Sequence, residues 1–116
     1  MKELEPFDEK RPWGSFREFV RNEKDTVKIL SVKKGEEFSL QKHHERDEFW
    51  RVIAGDPDIT IGEETKRAKV GDEFEIKPET LHRISAPEND VEVLEISRGE
   101  FDENDIVRVE DKYGRS

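Results

Sequence analysis

The chain has 116 residues, no cysteine and a formal charge of −9, and 44% of its residues are charged. This length predicts a single compact domain over residues 1–116. The missing thiols exclude disulfides and thiolate metal sites, and the negative charge disfavours nucleic acid or an anionic membrane as the partner. Because no apolar run could span a bilayer and the N-terminus is acidic, we expect a cytoplasmic protein. Abundant Lys and Glu are typical of thermophiles.

Short stretches that alternate apolar and polar residues recur along the chain, separated by Gly, Pro, Asn and Asp. Such stretches predict β-strands, and in chain order they are SFREFV, TVKILSV, EEFSLQKHH, DEFWRVIA, DITIGE, TKRAKV, EFEI, HRISA and VEVLEIS. Many short strands with frequent turns predict an all-β sandwich or barrel.

Both ends of the chain lack a pattern that would anchor them to such a barrel. We expect residues 1–10 and 114–116 to be flexible. The stretch FDENDIVRVEDKYGRS is expected to form a short helical or irregular tail that packs back through Ile106 and Val107.

A stretch near the middle of the chain, SLQKHHERDEFW, is rich in groups that could hold a metal ion. Side chains alternate along a strand, so Gln41 and His43 point to one face and His44 to the other. A tight turn at residues 45–47 would bring Glu48 across from the first two. If that face is the inside of a small barrel, the buried polar trio carries a desolvation cost that a divalent cation would offset. A solvated, charged hairpin is the alternative.

Lys28 is the cation whose position is most informative. It shares a strand face with Leu30 and Val32, which is apolar and therefore expected to be interior. A lysine on such a face usually has an anionic partner. The alternative is a side chain that extends to solvent at the barrel mouth.

Two motifs in the chain resemble the cupin family. The first is the spacing of Gly35, Gln41, His43, Glu48 and Gly55, with glutamine in place of the motif's first histidine. The second is GDEFEIKPETLH, which ends at His82. The resemblance implies an all-β cupin fold, a double-stranded β-helix or jelly-roll barrel. It also implies one divalent metal ion (Zn, Fe, Mn, Co or Ni) held by Gln41, His43, Glu48 and His82.

Within the cupins, the chain more closely resembles type II phosphomannose isomerase, which often forms the C-terminal part of bifunctional mannose-1-phosphate guanylyltransferases. The resemblance lies in RPWGS, LSVKKGEEFSLQKHH, the pair His82 and Arg83, and DIVRVEDKYGR, and it covers nearly the whole chain. It implies a homodimer of carbohydrate metabolism and polysaccharide biosynthesis that interconverts mannose 6-phosphate and fructose 6-phosphate through an enediol.

The chain departs from the usual pattern of this family at a few positions. Glu45 and Phe49 stand where histidines are usual. The residues KPE at 77–79 replace the usual Pro-x-Gly, so this turn must be built differently.

Such an isomerisation moves a proton between C1 and C2 of the sugar and therefore needs a base. The candidates are Glu48, Lys28 and Glu95. The expected substrate-binding residues are Arg11, Trp13, Lys28, Lys42 and Arg83, and the four cations would meet the phosphate at the barrel mouth. Alternatively, Trp13 holds an N-terminal arm against the edge of the sheet.

Three other functions remain open at this point. The chain could act on another sugar phosphate such as glucose 6-phosphate. It could be an iron-dependent dioxygenase, because His43, Glu48 and His82 also make a set of two histidines and one carboxylate. It could also be a sugar-phosphate binding module without catalysis.

Overall fold

The computed structural model describes residues 4–100 and 102–111, which form eleven strands. They are β1 (Phe7–Arg11), β2 (Gly14–Glu18), β3 (Asp25–Val32), β4 (Leu40–Lys42), β5 (Asp47–Ala54), β6 (Asp58–Ile61), β7 (Glu64–Arg67), β8 (Glu73–Ile76), β9 (His82–Ser85), β10 (Val91–Arg98) and β11 (Val107–Glu110). The predicted all-β class is confirmed. Among these residues no helix has the length and apolar character needed to cross a membrane.

Two larger sheets build the body of the protein. One has the strand order β3-β10-β5-β8 and the other the order β11-β4-β9-β6-β7, with antiparallel pairing throughout. The strands β4 and β5 therefore lie in different sheets, whereas the sequence pattern predicts a tight hairpin between them. Glu48 still lies across from His43, but it approaches from the facing sheet.

The core lies between the two sheets and is built by strand alternation. Trp50 and Val52 on β5 are fully buried, as are Ile84 on β9 and Val93 on β10. Burying each such side chain contributes roughly 1.5–3 kcal/mol. Because Glu48 precedes Trp50 by two residues on the same strand, the burial of the apolar pair also directs Glu48 inward.

The N-terminal stretch differs from the expectation of flexibility, because Phe7–Arg11 forms β1 and pairs with β2. The hairpin turns at RPWG, where Pro12 pre-sets φ for a turn. Arg17 ties it to the body through a hydrogen bond of 2.9 Å to Glu73 on β8.

The C-terminal stretch forms a strand where a helical or irregular tail is expected. Residues 107–110 are β11, which pairs with β4 at the edge of its sheet. Ile106 packs toward the interior of the barrel, whereas Val107 is exposed. Residues 114–116, also expected to be flexible, lie outside the described residues.

Gly99 lies where the end of β10 meets the turn that follows β4. Its φ is +115°, and a Cβ atom there would overlap the carbonyl oxygen of Glu45. We expect Gly99→Ala to lower the free energy of unfolding by about 2 kcal/mol or more, because strained backbone alone costs roughly 1–3 kcal/mol. Urea unfolding measures this loss. Gly62→Ala is the matched control, since Gly62 has a φ of +63° and open space around it; its cost should be about 1 kcal/mol. Equal losses would contradict the close approach.

Candidate functional site

His43, Glu48 and His82 come together between the two sheets. They follow β4, lie on β5 and begin β9, and their exposed fractions are 4%, 1% and 2%. One nitrogen or oxygen from each lies within 4.8 Å of the others. The His82 Nε2 atom is 3.3 Å from Glu48 Oε1, and the two imidazole centroids are 5.0 Å apart. This spacing suits three ligands of one ion.

The hydrogen bonds of the two histidines turn the same ring nitrogen toward the cluster. His43 Nδ1 lies 2.6 Å from the carbonyl oxygen of Asp105, and His82 Nδ1 lies 2.9 Å from that of Thr80. A carbonyl oxygen can only accept, so each Nδ1 carries the hydrogen and donates it. Each neutral ring therefore keeps its Nε2 lone pair for a ligand, as metal-binding histidines do.

The protonation of the cluster follows from its burial. Burial and the nearby Glu95 carboxyl group raise the pKa of Glu48 to about 8. Burial lowers the pKa of His82 to about 4, and it also lowers the pKa of His43. Glu48 Oε1 is buried without a hydrogen-bond donor in the described part of the chain. An orphaned carboxyl oxygen beside two neutral imidazoles fits a divalent cation, which would offset the desolvation cost.

Gln41 lies beside this cluster. It is directly opposite His82 across the β4 and β9 strands, so both side chains share a face of the sheet. Its Oε1 atom accepts a hydrogen bond of 2.7 Å from the hydroxyl of Ser39. An amide oxygen has a second lone pair, so Gln41 stays the predicted fourth ligand.

The cluster opens into a cavity of about 240 Å³ between the sheets. Its lining consists of Lys28, Leu30, Phe38, Gln41, His43, Arg46, Glu48, Glu95, Glu103 and Ile106. The three candidate bases, Glu48, Lys28 and Glu95, thus share one cavity. As the alternation on β3 predicts, Lys28 and Leu30 face the interior together.

Glu95 is held on the wall of this cavity by two neighbours. Its Oε2 atom accepts a hydrogen bond of 3.2 Å from the indole of Trp50. The hydroxyl of Ser97 lies 3.3 Å from both Glu95 Oε1 and Glu48 Oε2. Lys28 is directly opposite Glu95 across β3 and β10. Two carboxyl groups and one lysine therefore face the same space.

Two predicted substrate-binding residues lie on the N-terminal hairpin, away from the cavity lining. Arg11 contacts Glu9 and lies 5.2 Å above the ring of Phe16. Trp13 is in the turn and is 73% exposed. Within the described chain the structure does not bring either residue to the cluster.

The other two predicted substrate-binding residues also lie outside the cavity lining. Lys42 alternates away from the interior and pairs with Glu79 at 3.4 Å. Arg83 donates hydrogen bonds of 3.0 and 3.1 Å to the carbonyl oxygens of Phe38 and Glu110. Arg83 thereby joins neighbouring segments of the sheet.

Arg46 is a buried residue of the site that the sequence analysis missed. Its Nη1 atom lies 3.6 Å from Glu48 Oε2, and its Nη2 atom donates to the carbonyl oxygen of Asp102 at 3.3 Å. The sequence pattern predicts only that it lies in the tight turn at residues 45–47. Its spacing of two residues from Glu48 is the signal that could have found it, since residues i and i+2 share a face when the strand is extended.

The two facing antiparallel sheets and their enclosed cluster define this chain as a cupin domain. The same fold occurs in a Klebsiella pneumoniae protein with a double-stranded β-helix domain, at a TM-score of 0.67 and 16% identity, covering 96% of this chain and 90% of that one. The chain belongs to the mannose-6-phosphate isomerase C-terminal family, whose model matches residues 4–111. The predicted fold and family are confirmed.

Curated relatives extend well beyond the length of this domain. The xanthan biosynthesis protein XanB of Xanthomonas campestris is 37% identical over 108 residues, which is 91% of this chain and 23% of that protein. The mannose-1-phosphate guanylyltransferase ManC of Salmonella typhimurium is 36% identical over 107 residues, covering 90% of this chain and 22% of that protein. The chain thus spans less than a quarter of the length of either relative.

The raised pKa of Glu48 predicts a pH-dependent stability for the metal-free protein. Folded Glu48 keeps its proton up to about pH 8 but loses it near pH 4.5 when unfolded. The folded state therefore binds more protons in this window, and the free energy of unfolding falls as pH rises. Relative to Glu48→Gln, which cannot ionise, the wild type should lose up to about 1.4 kcal/mol per pH unit.

Urea unfolding of both proteins measures this difference. It is best resolved above about pH 7, where His82, with a pKa of about 4 when folded and 6.5 when unfolded, is mostly neutral in both states. Parallel stability curves for the two proteins would contradict the assignment of the raised pKa to Glu48.

Proposed function

We propose that this domain is a metal-dependent aldose-ketose isomerase that interconverts mannose 6-phosphate and fructose 6-phosphate. The observation that carries the proposal is the cluster of His43, Glu48 and His82 at a cavity that also contains Glu95 and Lys28. Family membership supports it. The names of the relatives support a role in mannose phosphate metabolism and polysaccharide biosynthesis. The homodimer and the cytoplasmic location stay predictions.

The metal would be held by His43, Glu48 and His82, with Gln41 as the fourth ligand. Nitrogen and oxygen donors without sulfur suit Zn, Fe, Mn, Co or Ni. When bound, such an ion supplies Lewis-acid polarisation of a substrate carbonyl and stabilises negative charge on its oxygen.

Glu95 is the residue that we assign as the base. Glu48 lies against His82 Nε2 and is a proposed metal ligand. Glu95 instead lies on the cavity wall, where Trp50 and Ser97 orient its carboxylate. In the forward direction its carboxylate takes the proton from C2 of the aldose, the C2–H electron pair forms the C1–C2 double bond, and the π pair of the C1 carbonyl moves to O1 to give the enediolate. The same group returns the proton to C1, and the O2 hydroxyl proton passes to O1.

Two cations in the cavity match the charge of a sugar phosphate. Lys28 faces the cavity from the β3 side, and we assign it to the phosphate group. Arg46, buried beside Glu48, offsets the carboxylate charge within the site. A few cations converging locally are what an anionic ligand needs in a chain whose overall charge is −9.

The direct test is a coupled assay for fructose 6-phosphate formation from mannose 6-phosphate with a panel of divalent metals. We expect His43→Ala to lower kcat/KM by about 100-fold or more, because it removes a metal ligand and disorders the site. His44→Ala is the matched control. His44 is the adjacent residue, but its side chain is about half exposed and contacts Glu79, so this variant should keep its activity.

The outcomes separate the proposed reaction from its alternatives. Turnover of glucose 6-phosphate instead would assign a different sugar-phosphate isomerase. Oxygen uptake with iron bound would assign an oxygenase. Saturable binding of mannose 6-phosphate without turnover by any metal-loaded form would make the domain a binding module.

A second comparison separates the base from the phosphate-binding cation. Glu95→Gln should lower kcat by about 100-fold or more with little change in KM, because the amide cannot accept the proton. Lys28→Met should mainly raise KM, because it removes a charge that meets the substrate before and during reaction. Steady-state kinetics of both variants measures the split. A Glu95→Gln enzyme with normal kcat would move the base to another group.

A further inference from the structure

Asp105 makes contacts with three consecutive residues of the turn that follows β4. Its carboxylate accepts hydrogen bonds from the backbone N–H groups of His44 and Glu45, at 2.8 and 2.9 Å. Its carbonyl oxygen accepts the Nδ1–H of His43 at 2.6 Å. The two residues of the last bond are 62 positions apart in the chain. One distant residue therefore holds both the turn and the ring of a cluster histidine.

Neighbouring contacts attach the segment around Asp105 to the same turn. Arg46 donates to the carbonyl oxygens of Asp102 and Asp105 at 3.3 and 3.4 Å. On the C-terminal side of Asp105, Val107 of β11 pairs with Lys42 of β4. The segment is thus fastened on both sides of the residue that contacts His43.

The two histidines of the cluster differ in how their rings are held. His82 donates to the carbonyl oxygen of Thr80, which lies two residues earlier in the same stretch of chain. His43 instead donates to Asp105, which reaches it from the far end of the domain. The orientation of His82 is therefore secured locally, whereas that of His43 depends on the docking of residues 102–106.

We propose that Asp105 is a positioning residue for His43, an inference that rests on the proposed metal site. Its carboxylate anchors it to the turn, and the anchored backbone places its carbonyl oxygen at His43 Nδ1. That acceptor holds the ring with Nε2 toward the metal. Without the carboxylate, the carbonyl oxygen keeps its contact with Arg46 and the neighbouring pairing of β11 but loses its anchor to the turn, so the ring can populate the other tautomer and orientation. Partners of this kind typically change metal affinity by about 10- to 100-fold when mutated.

The test compares Asp105→Ala with the wild type by two measurements. The first is the ¹⁵N chemical shift pattern of the His43 ring in the metal-free protein, which distinguishes a hydrogen on Nδ1 from one on Nε2. We expect the wild type to show Nδ1–H and the variant to show a mixture. The second is the affinity for Zn²⁺ in a chelator competition, which should fall about 10- to 100-fold.

Asp105→Asn provides a graded variant that keeps the fold if alanine does not. Its amide oxygen can still accept from one of the two backbone N–H groups, so both measurements should be intermediate. Asp90→Ala is the matched control, because Asp90 caps the backbone N–H of Lys34 at 2.8 Å, well away from the cluster. It should lower stability but change neither the His43 tautomer nor the Zn²⁺ affinity.

The outcomes distinguish this inference from the proposed reaction. Asp105 variants that keep the wild-type tautomer and Zn²⁺ affinity would overturn the positioning role, whatever the activity. A wild-type protein that forms no fructose 6-phosphate would overturn the isomerase. Neither of the two Asp105 measurements depends on that turnover. If no Zn²⁺ binds to the wild type, the positioning role is decided by comparing the His43 tautomer in the metal-free wild type and the metal-free Asp105 variants.

Discussion

The site depends on the burial of one carboxyl group between two facing sheets. Glu48 shares the inward face of β5 with Trp50 and Val52, so the strand cannot bury its aromatic and aliphatic side chains without burying Glu48. The cost of that burial is visible as a pKa of about 8. The polar neighbours are arranged around this group: His82 at one oxygen, Ser97 and Arg46 at the other.

Much of the site could be predicted because side chains two residues apart on a strand lie on the same face of the sheet. The pattern separates His43 from His44 and places Gln41 with His43, and the structure agrees: His43 is buried in the cluster, Gln41 lines the cavity, and His44 is exposed. The same rule places Lys28 on the interior face of β3. The cupin spacing then supplies His82, which no local pattern could connect to a strand forty residues earlier.

The rest depends on contacts between distant parts of the chain. The strand β1 is rich in charged residues and has no alternating apolar pattern, so its pairing with β2 could not be predicted. Arg17 anchors the hairpin to Glu73, 56 residues away. The strand β11 exists because β4 offers it an edge, and β4 and β5 separate because each pairs with strands from the second half of the domain. Arg46 donates to the carbonyl oxygens of Asp102 and Asp105, which lie 56 and 59 positions away in the chain. Alternation carries no information about any of these partners.

The hydrogen bond from His43 to the carbonyl oxygen of Asp105 also orders events during synthesis. On the ribosome, the turn that contains His43 emerges first and β9 with His82 follows, while the acceptor for His43 Nδ1 has yet to be translated. A nascent chain that holds all the cluster side chains therefore lacks the contact that orients one of them. The ring orientation that this hydrogen bond fixes in His43 is therefore set only after residues 102–106 have been added to the chain.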